Sequence, residues 1–210
     1  MDLEITVSET PEVDIESKRQ LVIAALNEII AELKKLLPED VFDFKDFYFA
    51  GGCCYSIWHN KEPKDYDIFC KNKKAIKKLK KYFDDNKNKA DIITKNAISM
   101  GKYQFVIKHI GNPNIEVAKF DFKHNMAYYD GNNLVAVSDW QYINSNKLVF
   151  NSKRARDVLN IISRIPKFCN RGMEISQSEI FDILEMGTRP TKIFSERANI
   201  KKSRRGKRRY

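Results

Sequence analysis

The spacing of hydrophobic residues in the first third of the chain predicts a helix followed by two short strands. Between residues 15 and 37, apolar side chains recur every three or four positions, which is the period of a helix with one buried face, and Pro38 ends the pattern. The positions are Val22, Leu26, Ile29, Ile30, Leu33 and Leu37. Apolar runs at 47–50 and 65–70 then predict strands, and residues 53–59 between them predict a short helix.

Residues 73–137 combine one basic helix with several strand candidates. The helix at 73–83 places Ile76, Leu79 and Phe83 on its inner side, and we interpret its lysines as a solvated face. Strands are predicted at 92–94, 103–110 and 115–122, and a hairpin at 126–129 and 134–137 encloses the turn Asp130-Gly131-Asn132-Asn133.

The hydrophobic period becomes helical again after Ser152. One helix is predicted from there to Pro166, which should stop it. A second is predicted from Ser176 to about residue 186, because Ser176 and Glu179 have the spacing of a capping box and Gly187 is a typical helix terminator.

These elements predict an α/β (α+β) protein with a mixed central sheet and flanking helices. The sheet domain is assigned to residues 1–145, a short helical appendage to 146–190, and a basic tail, predicted to be disordered, to 191–210. Hydrophobic residues make up 42% of the 210 positions and aromatic residues 11%, so the chain has the composition of a globular protein.

The sequence carries no signal for a membrane or for secretion. No apolar run approaches the roughly 20 residues of a membrane span, and Met1-Asp2-Leu3-Glu4 does not begin a signal peptide. The four cysteines form no C-x-x-C pair, which favours reduced thiols. We therefore expect a cytoplasmic protein without a membrane partner. The Lys-, Asn- and Ile-rich composition would suit a phage or viral protein, acting in the host cytoplasm.

Most of the positive charge is concentrated at the C-terminus. The net charge is +10, and Lys201–Tyr210 holds seven basic residues and no acid, so the rest of the chain carries only +3. A dense basic segment attracts polyanions and binds phosphates without sequence choice, which predicts contact with nucleic acid. A solubility tail or a localisation signal is the alternative. The residues predicted to bind nucleic acid are Arg204, Arg205, Lys207, Arg208 and Arg209.

Residues 47–70 contain the pattern that carries chemistry. The predicted strand at 47–50 runs into Gly51-Gly52, where glycines allow the backbone to approach a phosphate and a helix begins. Asp65 and Asp67 then place two carboxylates on one face of the next strand, about 7 Å apart along it, where they can share divalent cations. The alternative is a strand, glycine turn and helix with an exposed acidic strand end.

This motif resembles that of a known superfamily. Gly51, Gly52, Ser56 and the Asp65/Asp67 pair are similar to the signature of the DNA polymerase beta-type nucleotidyltransferases. Within that superfamily, the stretch ending in Pro63-Lys64-Asp65-Tyr66-Asp67 resembles the heads of bacterial poly(A) polymerases and bacterial-type CCA-adding enzymes. The resemblance is specific over residues 47–70 and weakens after them.

The resemblance implies a site and a reaction. Asp65 and Asp67, with a third acid from a neighbouring strand, would hold Mg²⁺ or Mn²⁺, and NMP would pass from an NTP, such as ATP, to a hydroxyl with release of pyrophosphate. Asp121 is the best third acid, because Phe120 and Phe122 alternate with it on a predicted strand, whereas Glu116 falls on the opposite face.

Further residues receive roles from the same resemblance. Ser56 and Lys64 would contact the nucleotide phosphates, although local capping or a surface position explains either equally well. The segment 154–175 is loosely similar to the helical neck of the same branch, which makes Arg154 and Arg156 candidates for nucleic-acid contact. The alternative is an ordinary amphipathic helix with these arginines on its solvent-exposed face. No Glu-Asp-x-x-Arg pattern follows, so full CCA addition is not expected.

Three functions are weighed on this basis. The favoured one is template-independent nucleotidyl transfer to an RNA 3′ end, with an NTP and RNA as partners. The second is transfer to a protein or small molecule, as in toxin–antitoxin relatives, which includes the possibility of a protein partner. The third is a non-catalytic nucleic-acid-binding protein that keeps the head fold; three acids argue against it, because a binding module does not need them.

Overall fold

Seven strands form one mixed sheet in the computed structural model, which describes residues 14–152 and 158–188. The strands are β1 (Phe47–Ala50), β2 (Tyr66–Cys70), β3 (Ile92–Ile93), β4 (Ala97–Met100), β5 (Tyr103–Ile110), β6 (Ala127–Tyr129) and β7 (Leu134–Ala136). Their order is β3-β4-β5-β2-β1-β6-β7. β2 and β5 are parallel and the other neighbours are antiparallel. The predicted mixed α/β fold is confirmed.

Seven α-helices accompany the sheet in the described residues. They are α1 (Ile15–Leu36), α2 (Gly52–Trp58), α3 (Lys73–Asp85), α4 (Pro113–Val117), α5 (Trp140–Ile143), α6 (Val158–Cys169) and α7 (Gln177–Thr188). The chain divides into two compact units, with the boundary between Asn146 and Lys147. The first holds the sheet with α1–α5, and the second holds α6 and α7. No helix in the described part is long and apolar enough to cross a membrane.

The two faces of the sheet bury different sets of residues, because side chains alternate along each strand. On one face, Phe47, Phe49, Ile68 and Phe105 pack into a large apolar cluster with α1, α2 and α3. We call this the α1/α3 face. On the other, a smaller cluster joins strand residues to Val117 of α4; we call it the α4 face. Its buried members are Tyr48, Ala50, Phe69, Val117, Met126 and Tyr128.

Local sequence signals account for most helix positions. All six apolar positions predicted for the inner side of α1 are buried, and Asp14 caps its start by accepting a hydrogen bond from the Ser17 amide. At α3, the Asn72 side chain accepts from the Ala75 amide at 2.9 Å. Both are the side-chain N-caps expected of Asp and Asn.

One predicted strand is wrong and one strand was missed. Residues 115–122 were predicted to be a strand, but Pro113–Val117 is a helix followed by a turn. Asn112 caps it, and Pro113 occupies its first turn, where a proline has no hydrogen bond to lose. β4 was not predicted because only Ile98 in its four residues is fully buried; it pairs with β5 around Gly101, which has a φ of 54°.

The last two helices depart from their predicted ends. α6 continues through Pro166 to Cys169, and α7 includes Gly187 instead of ending before it. Ser176 does cap α7, accepting from the Glu179 amide at 3.2 Å. The Glu179 carboxylate, however, accepts from the Phe150 amide at 2.8 Å, a tertiary contact in place of the predicted capping box.

Candidate active site

Gly51 makes the turn that joins β1 to α2. Its φ of 82° lies in the region that side chains other than glycine rarely adopt. A Cβ at this position would also come within 3.3 Å of the Phe120 ring. The Gly51 amide donates to the Ala127 carbonyl at 3.1 Å, which ties the turn to β6. The backbone conformation therefore favours glycine here, and the close Phe120 ring adds a tight contact for any larger residue.

Gly52 differs from its neighbour because nothing in residues 14–152 and 158–188 requires a glycine at this position. It is the first residue of α2, it has no positive φ, and a Cβ built on it would meet no atom within 4 Å. A glycine that neither the backbone nor packing needs leaves room for the close approach of a ligand. Ser56 lies one turn further along α2 and is half-buried.

The two acids of the motif stand at the start of β2. Asp67 is the second residue of the strand, half-buried, and lies opposite Gln104 of β5 in the parallel register. Asp67 shares the α4 face with Phe69, because side chains alternate along the strand. Asp65 precedes the strand by one residue and is exposed, as is Lys64.

Electrostatics connect Asp67 to the first turn of α2. The pKa of the buried Cys54 thiol is raised well above its ordinary value by a hydrogen bond with Cys53, by burial, and to a smaller extent by the charge of Asp67. Cys53 and Cys54 follow Gly52 directly. In the antiparallel β1–β2 pair Phe49 lies opposite Ile68, so Asp67 comes level with Ala50, the residue directly before Gly51.

Asp121 belongs to a turn and not to a strand, but that turn lies against the same face of the sheet. The preceding Phe120 contacts the Gly51 position and packs on the ring of Phe69 at a centroid distance of 5.8 Å. Asp121 itself is only 5% exposed. The structure thus brings the segment that carries Asp121 to the α4 face, beside Gly51 and β2.

Glu116, the weaker sequence candidate, is held in an ion-pair network. Its carboxylate lies 2.6 Å from Lys119 Nζ and 3.7 Å from His109 Nδ1. It is buried in α4, so charge compensation by Lys119 accounts for it.

The carboxylates Asp65, Asp67 and Asp121 are candidate metal ligands. Their oxygens are the ligand type that Mg²⁺ and Mn²⁺ prefer. Within residues 14–152 and 158–188, however, no three His, Cys, Asp or Glu side chains come together closely enough to hold a metal ion. Mg²⁺ usually binds through one or two carboxylates together with substrate phosphates and water, so the Asp65/Asp67 pair fits without a third ligand in place.

Arg154 and Arg156 lie outside the described residues, as do the tail residues Arg204, Arg205, Lys207, Arg208 and Arg209.

The contact of Phe120 with Gly51 was not found from the sequence. Phe120 was predicted to point into the core from a strand; it does pack against a buried cluster, but from a turn and over the glycine turn. The signal in the sequence was the pair Asn112-Pro113, which is typical of a helix start. A helix beginning there would have excluded a strand at 115–122 and placed Phe120 in the turn that follows the helix.

Comparison with known proteins identifies the family. The profile described as "Gad2: Gabija anti-defense 2 family protein" matches residues 24–169, which is more than half of the chain. The chain belongs to the Gad2 family. The match includes the sheet and all three acids of the candidate site. No curated protein matches this Gad2 protein.

Solved structures show what fold this Gad2 protein shares. The Thermotoga maritima CCA-adding enzyme complexed with tRNA matches 80% of the chain with a TM-score of 0.52 and 12% identity, over 44% of the enzyme. A CCA-adding enzyme with CTP matches 78% with a TM-score of 0.51 and 13% identity, also over 44% of its length. The Bacillus stearothermophilus enzyme with CTP matches 79% with a TM-score of 0.50 and 15% identity, over 42%.

These similarities confirm the predicted resemblance to the CCA-adding branch at the level of the fold. The chain spans less than half the length of the solved enzymes that it matches. At such low identity the likeness carries a fold and not an activity.

Proposed function

We propose that this Gad2 protein is a metal-dependent nucleotidyltransferase whose reaction counters the Gabija defence. The observation that carries the proposal is the pairing of Gly52 with Asp67. A glycine that the fold does not need opens α2, and the strand register places Asp67 level with Ala50, directly before that turn. An NTP held there would have its phosphates at a helix N-terminus and beside the acids.

Each residue of the site has a role in the proposal. Gly51, Gly52 and Ser56 would receive the β- and γ-phosphates, and Lys64 would neutralise part of their charge. Asp65 and Asp67 would hold Mg²⁺ or Mn²⁺, and Asp121 would complete the set when substrate is bound. The ion, when bound, supplies charge stabilisation at the entering and leaving oxygens. Asp121 would also take the proton of the acceptor hydroxyl.

The favoured acceptor is an RNA 3′ end. The basic tail and the arginines Arg154 and Arg156 support it, because they offer positive charge to a phosphate backbone. One of the solved enzymes with this fold is complexed with tRNA.

A protein acceptor is the second candidate, and the family description favours it. A protein that acts against Gabija has a protein of that defence as an available target. Transfer of NMP to a hydroxyl side chain uses the same phosphoryl chemistry as transfer to a ribose hydroxyl, so the site does not distinguish between the two acceptors.

Incorporation of label tests the proposal and separates the acceptors. Each α-labelled NTP is incubated with the full chain and Mg²⁺ or Mn²⁺, once with total cellular RNA and once with purified Gabija proteins. The test variant is Asp65→Asn/Asp67→Asn. The matched control is Asp84→Asn/Asp85→Asn, which makes the same chemical change at exposed positions of α3.

The proposal is supported if label appears with the wild type and the control but not with the Asp65/Asp67 variant. Label found in RNA or in a Gabija protein identifies the acceptor. Absence of label in both acceptors with folded protein would contradict nucleotidyl transfer and leave a binding role.

A further inference from the structure

Helix α3 presents an unusual concentration of positive charge. It contains six lysines in thirteen residues: Lys73, Lys74, Lys77, Lys78, Lys80 and Lys81. Taking 3.6 residues per turn, they cover an arc of roughly 160° of the helix. All except the half-buried Lys78 are exposed. The helix is about 20 Å long at 1.5 Å per residue, so the lysines form one continuous surface, which we call the α3 lysine face.

The positions of these lysines destabilise α3 itself. Lys73 and Lys74 occupy the first turn, at the positive end of the helix dipole, and no acid is present there. Lys77 has lysines three or four positions away on both sides, and like charges at these spacings repel each other. In α1, by contrast, Glu16 is in the first turn and Lys34 and Lys35 are in the last, as the dipole favours.

The lysines are not neutralised by the part of the protein that the structure describes. None of the ion pairs within residues 14–152 and 158–188 includes a lysine of α3. The acids on the helix, Asp84 and Asp85, are both in its last turn. Neither folding nor an internal ion pair therefore explains the α3 lysine face.

The buried side of α3 indicates which polyanion fits. Ala75, Ile76, Leu79 and Phe83 are all buried against the sheet. No apolar stripe is left on the helix for insertion into a lipid surface, which an interfacial helix requires. Lysine is a mobile point charge that binds single phosphates, and a row of lysines therefore suits a repeating phosphate backbone.

We propose that the α3 lysine face binds the phosphate backbone of nucleic acid without reading its base sequence. This binding goes beyond the nucleotidyl transfer proposed above and does not depend on it, because it requires neither the acids nor a metal.

The test is a salt titration of binding with the full chain. Fluorescence anisotropy is measured with single-stranded RNA, duplex RNA and duplex DNA of equal length and scrambled sequence. The test variant is Lys74→Gln/Lys77→Gln/Lys81→Gln, since glutamine has nearly the helix propensity of lysine. One control is the same triple change to arginine, which keeps the charge. The other is Lys34→Gln/Lys35→Gln/Lys95→Gln, which removes three exposed lysines elsewhere. All proteins carry Asp67→Asn, so turnover cannot affect the result.

Loss of three phosphate contacts should lower affinity at low salt by about tenfold or more and reduce the slope of log K against log[salt] by about 2 to 3. The melting temperature of the test variant should equal or exceed that of the parent, because repulsion within α3 is relieved. The arginine variant and the distant triple variant should bind as the parent does. The nucleic acid that binds most tightly at a fixed salt concentration identifies the preferred form.

Unchanged affinity and slope in the glutamine variant would overturn the proposal. So would an equal loss in the distant triple variant, which would reflect net charge alone, or a loss in the arginine variant. Absence of salt-dependent binding by the parent to all three nucleic acids would also overturn it and would direct attention to an acidic protein surface. None of these outcomes depends on nucleotidyl transfer.

Discussion

The two faces of the central sheet differ in what they bury. The α1/α3 face is built of aromatic and aliphatic residues, and Phe105 at its centre lies within 6.3 Å, ring centroid to centroid, of Phe42, Phe47 and Phe83. The α4 face has a smaller apolar cluster, and Asp67 shares this face with Phe69 because side chains alternate along β2. The same strands thus contribute core residues that stabilise the fold on the α1/α3 face and a candidate catalytic acid on the α4 face.

This division follows from strand geometry. In β2, Ile68 points to the α1/α3 face while Asp67 and Phe69 share the α4 face. A change on one face should alter the stability of the protein, and a change on the other should alter its reaction. The following predictions test this separation, from the largest expected effect to the smallest.

Phe105→Ala should give the largest loss of stability. Phe105 is fully buried among other rings, and truncation of such a side chain removes apolar contact and leaves a cavity, which costs about 3 to 5 kcal/mol in the free energy of unfolding. Urea denaturation measures the effect. The adjacent Val106→Ala, on the partly buried α4 side, should cost clearly less. Equal losses at the two positions would contradict the distinction between the faces.

Asp67→Asn should reduce activity strongly and change stability little. Nucleotidyl transfer should fall by about 10² to 10³, the range seen when a group that stabilises transition-state charge is removed. The unfolding midpoint should change little, because the carboxylate is half-buried and asparagine has the same shape. The measurement pairs the rate of label incorporation with urea denaturation. A large loss of stability with full activity per folded molecule would contradict this prediction and show that Asp67 supports the fold and not the reaction.

His124 should make the fold sensitive to acid. Burial, with a smaller contribution from His59, lowers the pKa of its imidazole from 6.5 to about 3. Because the folded state resists protonation, stability is complete above about pH 6.5 and is lost as the pH falls from there towards 3. The loss between pH 7 and pH 4 should be about 3 kcal/mol at most. Urea midpoints measured across this range should show a smaller pH dependence in His124→Gln, and an identical dependence would contradict the assignment.

Gly51→Ala and Gly52→Ala should change stability in opposite directions. At Gly51 the positive φ and the Phe120 contact should cost about 1 to 3 kcal/mol. At Gly52, alanine meets open space at a helical position and should stabilise the fold by up to about 1 kcal/mol. Transfer by the Gly52 variant should nevertheless fall, because the methyl group obstructs the phosphate approach. Full activity in this variant would contradict the role of Gly52 in phosphate approach, on which the proposed function depends.

The sequence predicted the elements that are governed by local signals. The β1–Gly51–α2–β2 unit was located to within a residue or two, since apolar runs, glycines and the acidic pair identify it without long-range information. The segment after Asn112 was predicted incorrectly. Its alternating Ile115, Glu116 and Val117 suggested a strand, but the Asn cap and Pro113 favour a helical turn and prevailed. The role of Asp121 remains a prediction.

The sequence alone determined that β1 turns through Gly51 into a helix and that two acids follow at the start of β2, because turn chemistry and side-chain alternation act over a few residues. Only the tertiary structure decided that β5 lies parallel beside β2, and that Phe120, the residue before Asp121, covers Gly51 from a turn. Those contacts join residues far apart in the chain, and no local period records which distant segment will bury a given face.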